Sequence, residues 1–211
     1  MEIHNLTSVQ LDVLREIGNI GAGNAATSMS LLTNQKIDME VPVVKIIPFE
    51  QVMDLIGGPE ELVVAIYLRI LGNAPGTVYF IMSISEATQL VRQIIRDDSF
   101  HMENLSEVSD FALSALNEAG NILTGSYLSA LSDFLQINMQ PSIPSLGIDM
   151  AGAILSVGLI ELSNHTDYAI VIDTKMNNDE TNNNFQGHFF MLPDAETLPK
   201  IFSALGIEDY E

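Results

Sequence analysis

The chain has no cysteine and no tryptophan, and only 8 of its 211 residues are Lys or Arg. Without thiols, disulfide, thiolate and Cys-ligated metal chemistry are excluded, and the cytoplasm is the expected compartment. The few cations stand against 28 Asp and Glu, a formal charge of −20. Such a chain is not expected to bind nucleic acid, because neutralising a phosphate backbone needs clustered Lys and Arg. The same imbalance disfavours anionic membrane surfaces. No apolar run approaches the roughly 20 residues that span a bilayer, so no membrane insertion is expected. The N-terminus, Met-Glu-Ile-His-Asn, has neither the basic nor the apolar region of an export signal. The four histidines, His4, His101, His165 and His188, are scattered without ligand spacing, which argues against a zinc site. The acidity itself fits two readings, solubility or a partner with basic surface features.

What is present is a phrase written twice. Glu16-Ile-Gly-Asn-Ile-Gly-Ala-Gly23 and Glu118-Ala-Gly-Asn-Ile-Leu-Thr-Gly125 each follow a small acidic or hydroxyl residue, Asp12 or Ser114, by four positions. Each copy is followed by a proline 23 positions after its Asn, Pro42 and Pro144. The shared pattern is D/S-x3-E-x2-N-x22-P. On a helix, positions i, i+4 and i+7 share a stripe, so Asp12, Glu16 and Asn19 lie on one face, as do Ser114, Glu118 and Asn121.

The surrounding pattern also recurs. Thr7 or Ser8 starts a helix expected to run to about residue 33, followed by an extended stretch over 39–47, a short helix over 48–56 closed by Gly57-Gly58, and strands over 61–71 and 77–84. Asn73-Ala-Pro-Gly76 marks the hairpin turn between those strands, and Ser85 is the expected cap of a helix to about residue 96. After the polar join at 97–104, Ser106 is expected to cap a helix to 135. An extended stretch over 137–143, a helix over 148–162, a hairpin of 168–176 with 185–192, and a last helix from Asp194 to 205 complete the order. The fold class is therefore α/β: a single pseudo-two-fold domain over 1–211. It is built from two α-β-α-β-β-α repeats, about 6–97 and 104–205, that share an antiparallel sheet with two long helices carrying the motifs.

Gly18, Gly21 and Gly23 lie within the first helix, where each costs roughly 1 kcal/mol relative to Ala. Close packing and an open surface for a partner both account for them. Gly21-Ala-Gly-Asn-Ala-Ala26 resembles a dinucleotide fingerprint only superficially, since a helix rather than a strand precedes it. A Glu and an Asn three apart, without a nucleophile or metal cluster, can position other groups. A carboxylate holds a cation, and an amide orients a water by donating and accepting at once. Attack on an acyl phosphate demands little more, because the phosphorus and its metal can belong to the other molecule.

These residues are similar to those of the CheC/CheX/FliY family of chemotaxis phosphatases. The resemblance covers essentially the whole chain, and two complete motifs match the two-site CheC branch. It implies hydrolysis of the aspartyl phosphate of the response regulator CheY. Glu16 and Glu118 would engage a regulator Lys, Asn19 and Asn121 would orient the attacking water, and Asp12 and Ser114 would support the Glu. It implies no cofactor of the protein's own, with Mg2+ on the regulator, and two partners, phosphorylated CheY and the receptor deamidase CheD. A second class of function stays open, a binding module that regulates CheD with weak phosphatase activity. At the flanks, Gly21-Ala22 is replaced by Leu123-Thr124, and the bulkier pair is expected to narrow access to the second site.

Overall fold

The computed structural model describes residues 8–102, 108–162, 168–178, 183–194 and 196–204. The element order is α1 (Ser8–Thr33), β1 (Asp38–Pro48), α2 (Phe49–Leu55), β2 (Leu62–Gly72), β3 (Gly76–Ser83) and α3 (Ile84–Ile95), then α4 (Asp110–Leu135), β4 (Met139–Pro141), β5 (Ser145–Met150), α5 (Ala151–Leu162), β6 (Tyr168–Asn178), β7 (Asn183–Pro193) and α6 (Thr197–Ala204). The expected alternation is present in both halves, with one addition. Residues 145–150, expected partly as the start of a helix, form β5, and α5 begins only at Ala151. The apolar run across 146–155 reads equally well as strand or helix. What decides it is pairing: Ser145–Met150 run antiparallel to Tyr67–Leu62 of β2.

Helix starts also differ in detail. Ser83, not Ser85, caps α3: its Oγ accepts from the Glu86 backbone N–H, while the Glu86 carboxylate accepts from the Ser83 backbone N–H. This is a reciprocal capping box, and only the Ser83–Glu86 spacing permits it. Ser109 caps α4 by accepting from the Ala112 N–H. The expected caps Thr7 and Ser106 lie outside the described residues.

All seven strands join one antiparallel sheet in the order β1-β6-β7-β3-β2-β4, with β5 also on β2. The order reads the same from both ends once β2 is matched with β6, β3 with β7, and β1 with the interrupted β4/β5. The hairpins β2–β3 and β6–β7 meet at the centre, where β3 pairs with β7. Each half sends its first strand to the outer edge of the other half's hairpin.

Both faces of this sheet are covered, so its central strands read as unbroken apolar runs rather than alternating ones. Val64, Ile66, Leu68, Val78, Phe80 and Met82 point to a large core shared with α1, α3 and α4. Val63, Ala65, Tyr79 and Ile81 point to the opposite face, where α2 and α5 bring Val52, Ile56, Ala151 and Leu155. The two long helices thus lie side by side on one face of the sheet, α1 packed on α4. Among the described residues no helix is long and apolar enough to cross a membrane.

Candidate functional site

Both Glu/Asn pairs fall on helix faces turned away from the core. Glu16, Glu118 and Asn121 are exposed and Asn19 is half-buried, while Ile17, Ala119 and Leu123 behind them are buried. Asp12 and Ser114, one turn earlier, are also exposed. The helical spacing therefore brings Asp12, Glu16 and Asn19 to one surface stripe and Ser114, Glu118 and Asn121 to another. Asp12 is held by Arg15 at 3.0 Å, both side chains about half exposed or more; such an exposed pair contributes at most about 1 kcal/mol. Neither Glu16 nor Glu118 has an ion-pair partner among the described residues, so both carboxylates stand ready for a cation from outside.

The glycines divide by role. A Cβ on Gly18 would approach Val41 Cγ1 to 3.2 Å, and one on Gly120 would come within 2.6 Å of Ile66 Cγ2. These two, each two positions after a motif Glu, let the helices lie close on the sheet. A Cβ on Gly21 would meet Tyr127 of α4, 2.7 Å from Cδ1 and 3.0 Å from Cα. By contrast, Gly23 and Gly125, each one turn beyond a motif Asn on the same stripe, have nothing among the described residues within 4 Å of a Cβ. Packing explains the first three glycines. The last two leave each face flat where it continues past the Asn.

The expected narrowing of the second site by its flanks is not what the structure shows. Gly21, Ala22, Leu123 and Thr124 are all buried, with Leu123 and Thr124 at 0% exposure. They occupy the helix side facing the core, roughly opposite the Glu/Asn stripe, so their bulk does not bear on access. Their difference follows from helix packing. Gly21 accommodates Tyr127, and the pseudo-two-fold counterparts of that contact are Leu123 and Ala25, large and small exchanged.

The two amides are held differently, which the sequence did not reveal. The backbone N–H of Val41 donates to Asn19 Oδ1 at 2.9 Å. Asn121 makes no side-chain hydrogen bond among the described residues, and the residue at the matching position, Ile143, is 90% exposed. Beneath the first site, the Tyr127 hydroxyl and Thr174 Oγ1 lie 2.8 Å apart in a hydrogen bond. Burial pushes the Tyr127 pKa up to about 12, against the opposing pull of the Thr174 hydrogen bond. Val41, Tyr127 and Thr174 escaped the sequence reading; only the proline following Val41 pointed to the first of them.

Among the described residues no group of three His, Asp or Glu side chains is arranged to hold a metal. His188 instead hydrogen-bonds Asp173 at 2.7 Å on neighbouring strands.

Fold and site together define a class: a pseudo-two-fold α/β protein whose two long helices each display a Glu and an Asn at matched positions. The CheC-like family matches twice, over residues 9–46 and 111–148, each match running from the motif helix past the motif proline. The chain is 44% identical over 207 residues to the CheY-P phosphatase CheC of Bacillus subtilis, covering 98% of this chain and 99% of that one. It is 29% identical over 143 residues to the flagellar motor switch phosphatase FliY of the same organism, covering 68% of this chain and 36% of FliY. In fold it is similar to the crystal structure of Thermotoga maritima FliY, with a TM-score of 0.73 and 21% identity over 97% of this chain and 99% of that chain. The chain belongs to the CheC-like family.

Proposed function

We propose that the protein is a chemotaxis phosphatase that hydrolyses the aspartyl phosphate of phosphorylated CheY. The observation that carries this reading is the pair of exposed Glu/Asn faces at matched helical spacing, in a chain 44% identical along nearly its whole length to a CheY-P phosphatase. Glu16 and Glu118 are surface carboxylates with no ion-pair partner among the described residues, suited to engage a Lys of the regulator. Asn19 and Asn121, one turn along, orient the water that attacks phosphorus in line. A P–O bond forms to that water, the bond to the aspartyl oxygen breaks, and the products are the free aspartate and inorganic phosphate. The protein's contribution is to place water and to fix the partner, which is most of what such a displacement requires. Magnesium, in this reading, belongs to the regulator. Asp12 and Ser114 support the presentation of each Glu.

This reading takes 1–211 as one domain, because each half's first strand completes the other half's hairpin. It places the protein in the cytoplasm with its substrate, and it keeps CheD as a second partner.

The test is the rate of phosphate loss from phosphorylated CheY with Mg2+, alone, with the intact protein, and with its Asn19→Ala/Asn121→Ala variant. Acceleration by the intact protein that is lost in the variant is expected. No acceleration by the intact protein, with or without CheD, overturns the reading.

A further inference from the structure

Strand β1 departs from a regular ladder at one place. Glu40 pairs with Lys175 and Val43 with Asp173 of β6, so Val41 and Pro42 together oppose the single residue Thr174. Two residues against one is a β-bulge, which turns backbone groups out of the ladder and re-aims them. Proline has no N–H, so position 42 offers β6 no donor, whatever the register. The N–H of Val41 is aimed instead at α1, where it meets Asn19 Oδ1 at 2.9 Å. The Val41 side chain, 3% exposed, seats against Gly18 of the same helix. Strand and helix are thus joined at adjacent motif positions, and the separation of 22 positions from Asn19 to Val41 is the reach of the chain from the amide to the bulge that holds it.

An N–H donor also settles which way round the amide sits. It must face the carbonyl oxygen, which leaves one Oδ1 lone pair and both Nδ2 hydrogens for a water.

The second half repeats the register but not the bond: Ile70 pairs with Pro141 and Tyr67 with Ser145, so with Ser142 opposite Arg69 the two residues Ile143 and Pro144 oppose the single residue Leu68. Its strand breaks between Pro141 and Ser145, and Ser142 is tied to β2, its N–H donating to the Arg69 carbonyl at 2.9 Å and its Oγ accepting from the Arg69 N–H at 3.0 Å. Ile143, where Val41 would be, turns outward at 90% exposure. Asn121 is left without an orienting bond among the described residues.

We infer that the Val41 N–H, presented at the Val41–Pro42 bulge, is a positioning device that sets the amide of Asn19, and that the two sites differ because Ile143 at the matching bulge turns outward and, among the described residues, Asn121 receives no such bond. Val41 and Pro42 act through Asn19 and need not touch the regulator. The inference rests on the proposed phosphatase reading for its kinetic consequence, but its geometry can be tested without activity.

Two measurements on the full chain decide it. Amide exchange followed by NMR should show the Val41 N–H exchanging at least about 5-fold faster in Asn19→Ala than in the intact protein, the effect of losing one hydrogen bond. An unchanged Val41 rate overturns the inference. In kinetics on phosphorylated CheY, Pro42→Ala made in the Asn121→Ala background should lower kcat by about 2- to 10-fold with KM unchanged, since one orienting bond is loosened while docking is not. Pro144→Ala in the Asn19→Ala background should leave kcat within about 2-fold, because among the described residues the matching bulge gives Asn121 no bond to hold. Equal losses at both prolines, or a loss in KM alone, overturn the inference. Should Pro42→Ala fail to fold, the Val41 exchange rate in Asn19→Ala decides by itself. Should the intact protein fail to hydrolyse the regulator's phosphate, with or without CheD, the proposed function fails, while the exchange rate still shows whether the bulge holds the amide.

Discussion

Alanine at Gly21 and alanine at Gly23 are the same chemical change two residues apart on one helix, and they should move stability in opposite directions. Each replacement gains the helix propensity that glycine lacks, roughly 1 kcal/mol. At Gly23 nothing among the described residues opposes that gain, since a Cβ there meets none of their atoms within 4 Å. At Gly21 the Cβ would stand 2.7 Å from Tyr127 Cδ1 and 3.0 Å from its Cα. The second contact is the harder one. A ring can tilt, but relieving pressure on a backbone atom means parting α1 from α4 in a core where Tyr127, Leu14 and Met29 are at most 2% exposed. Overpacking of this kind costs roughly 1–3 kcal/mol, and forcing two helices apart belongs at the upper end of that range. Set against the propensity gain, Gly21→Ala should lose about 1–2 kcal/mol, while Gly23→Ala gains about 0.5–1 kcal/mol. For a chain of this size 1 kcal/mol corresponds to roughly 2–4 °C in Tm. The two variants should therefore melt on either side of the parent protein, separated by several degrees. Urea unfolding of the same three proteins gives the ordering independently, with m unchanged. A Gly21→Ala protein as stable as the parent would refute the assignment of Gly21 to the helix crossing, and a destabilised Gly23→Ala would refute the open space above the first site.

Two further outcomes follow from particular contacts. Tyr127, with its pKa pushed up to about 12 in the folded protein, keeps its proton longer than in the unfolded chain, where it titrates near 10. Its contribution is fully present below about pH 10 and falls as pH rises towards 12, by roughly 2 kcal/mol. The stability difference between the parent and Tyr127→Phe should accordingly shrink over that window in urea titrations, and a constant difference would count against the burial argument. At the start of α3, Ser83→Ala removes the hydroxyl that accepts from the Glu86 N–H at 3.2 Å and should cost about 1 kcal/mol. Glu86→Ala should cost more, because its carboxylate also accepts from the Gln186 N–H of β7 at 3.1 Å; equal losses from the two variants would show that this cross-link carries no weight.

Element order, the doubled motif and the face on which each motif lies were legible in the chain alone. These depend on local chemistry: helical periodicity puts Glu16 beside Asn19 and Glu118 beside Asn121 whatever the rest of the chain does. The family was legible for the same reason, since a short pattern repeated at matched spacing survives in the one-dimensional string. Properties set by distant segments were not legible. The run from 145 to 150 became a strand because β2 was there to pair with it. The glycines looked alike in sequence, yet three face a neighbouring element and two face open space. Leu123 and Thr124 looked like obstacles to the second site and proved to be core residues, because which side of a helix meets the sheet is a matter of packing. The sharpest divide is between Asn19 and Asn121. Identical spacing to a proline, with the same extra residue against the neighbouring strand, placed one amide against a backbone N–H and left the other exposed, since Val41 is buried against α1 whereas Ile143 turns outward. Local propensity writes the two halves as copies, and tertiary packing, which buries Val41 against α1 and leaves Ile143 outside, makes their sites unequal.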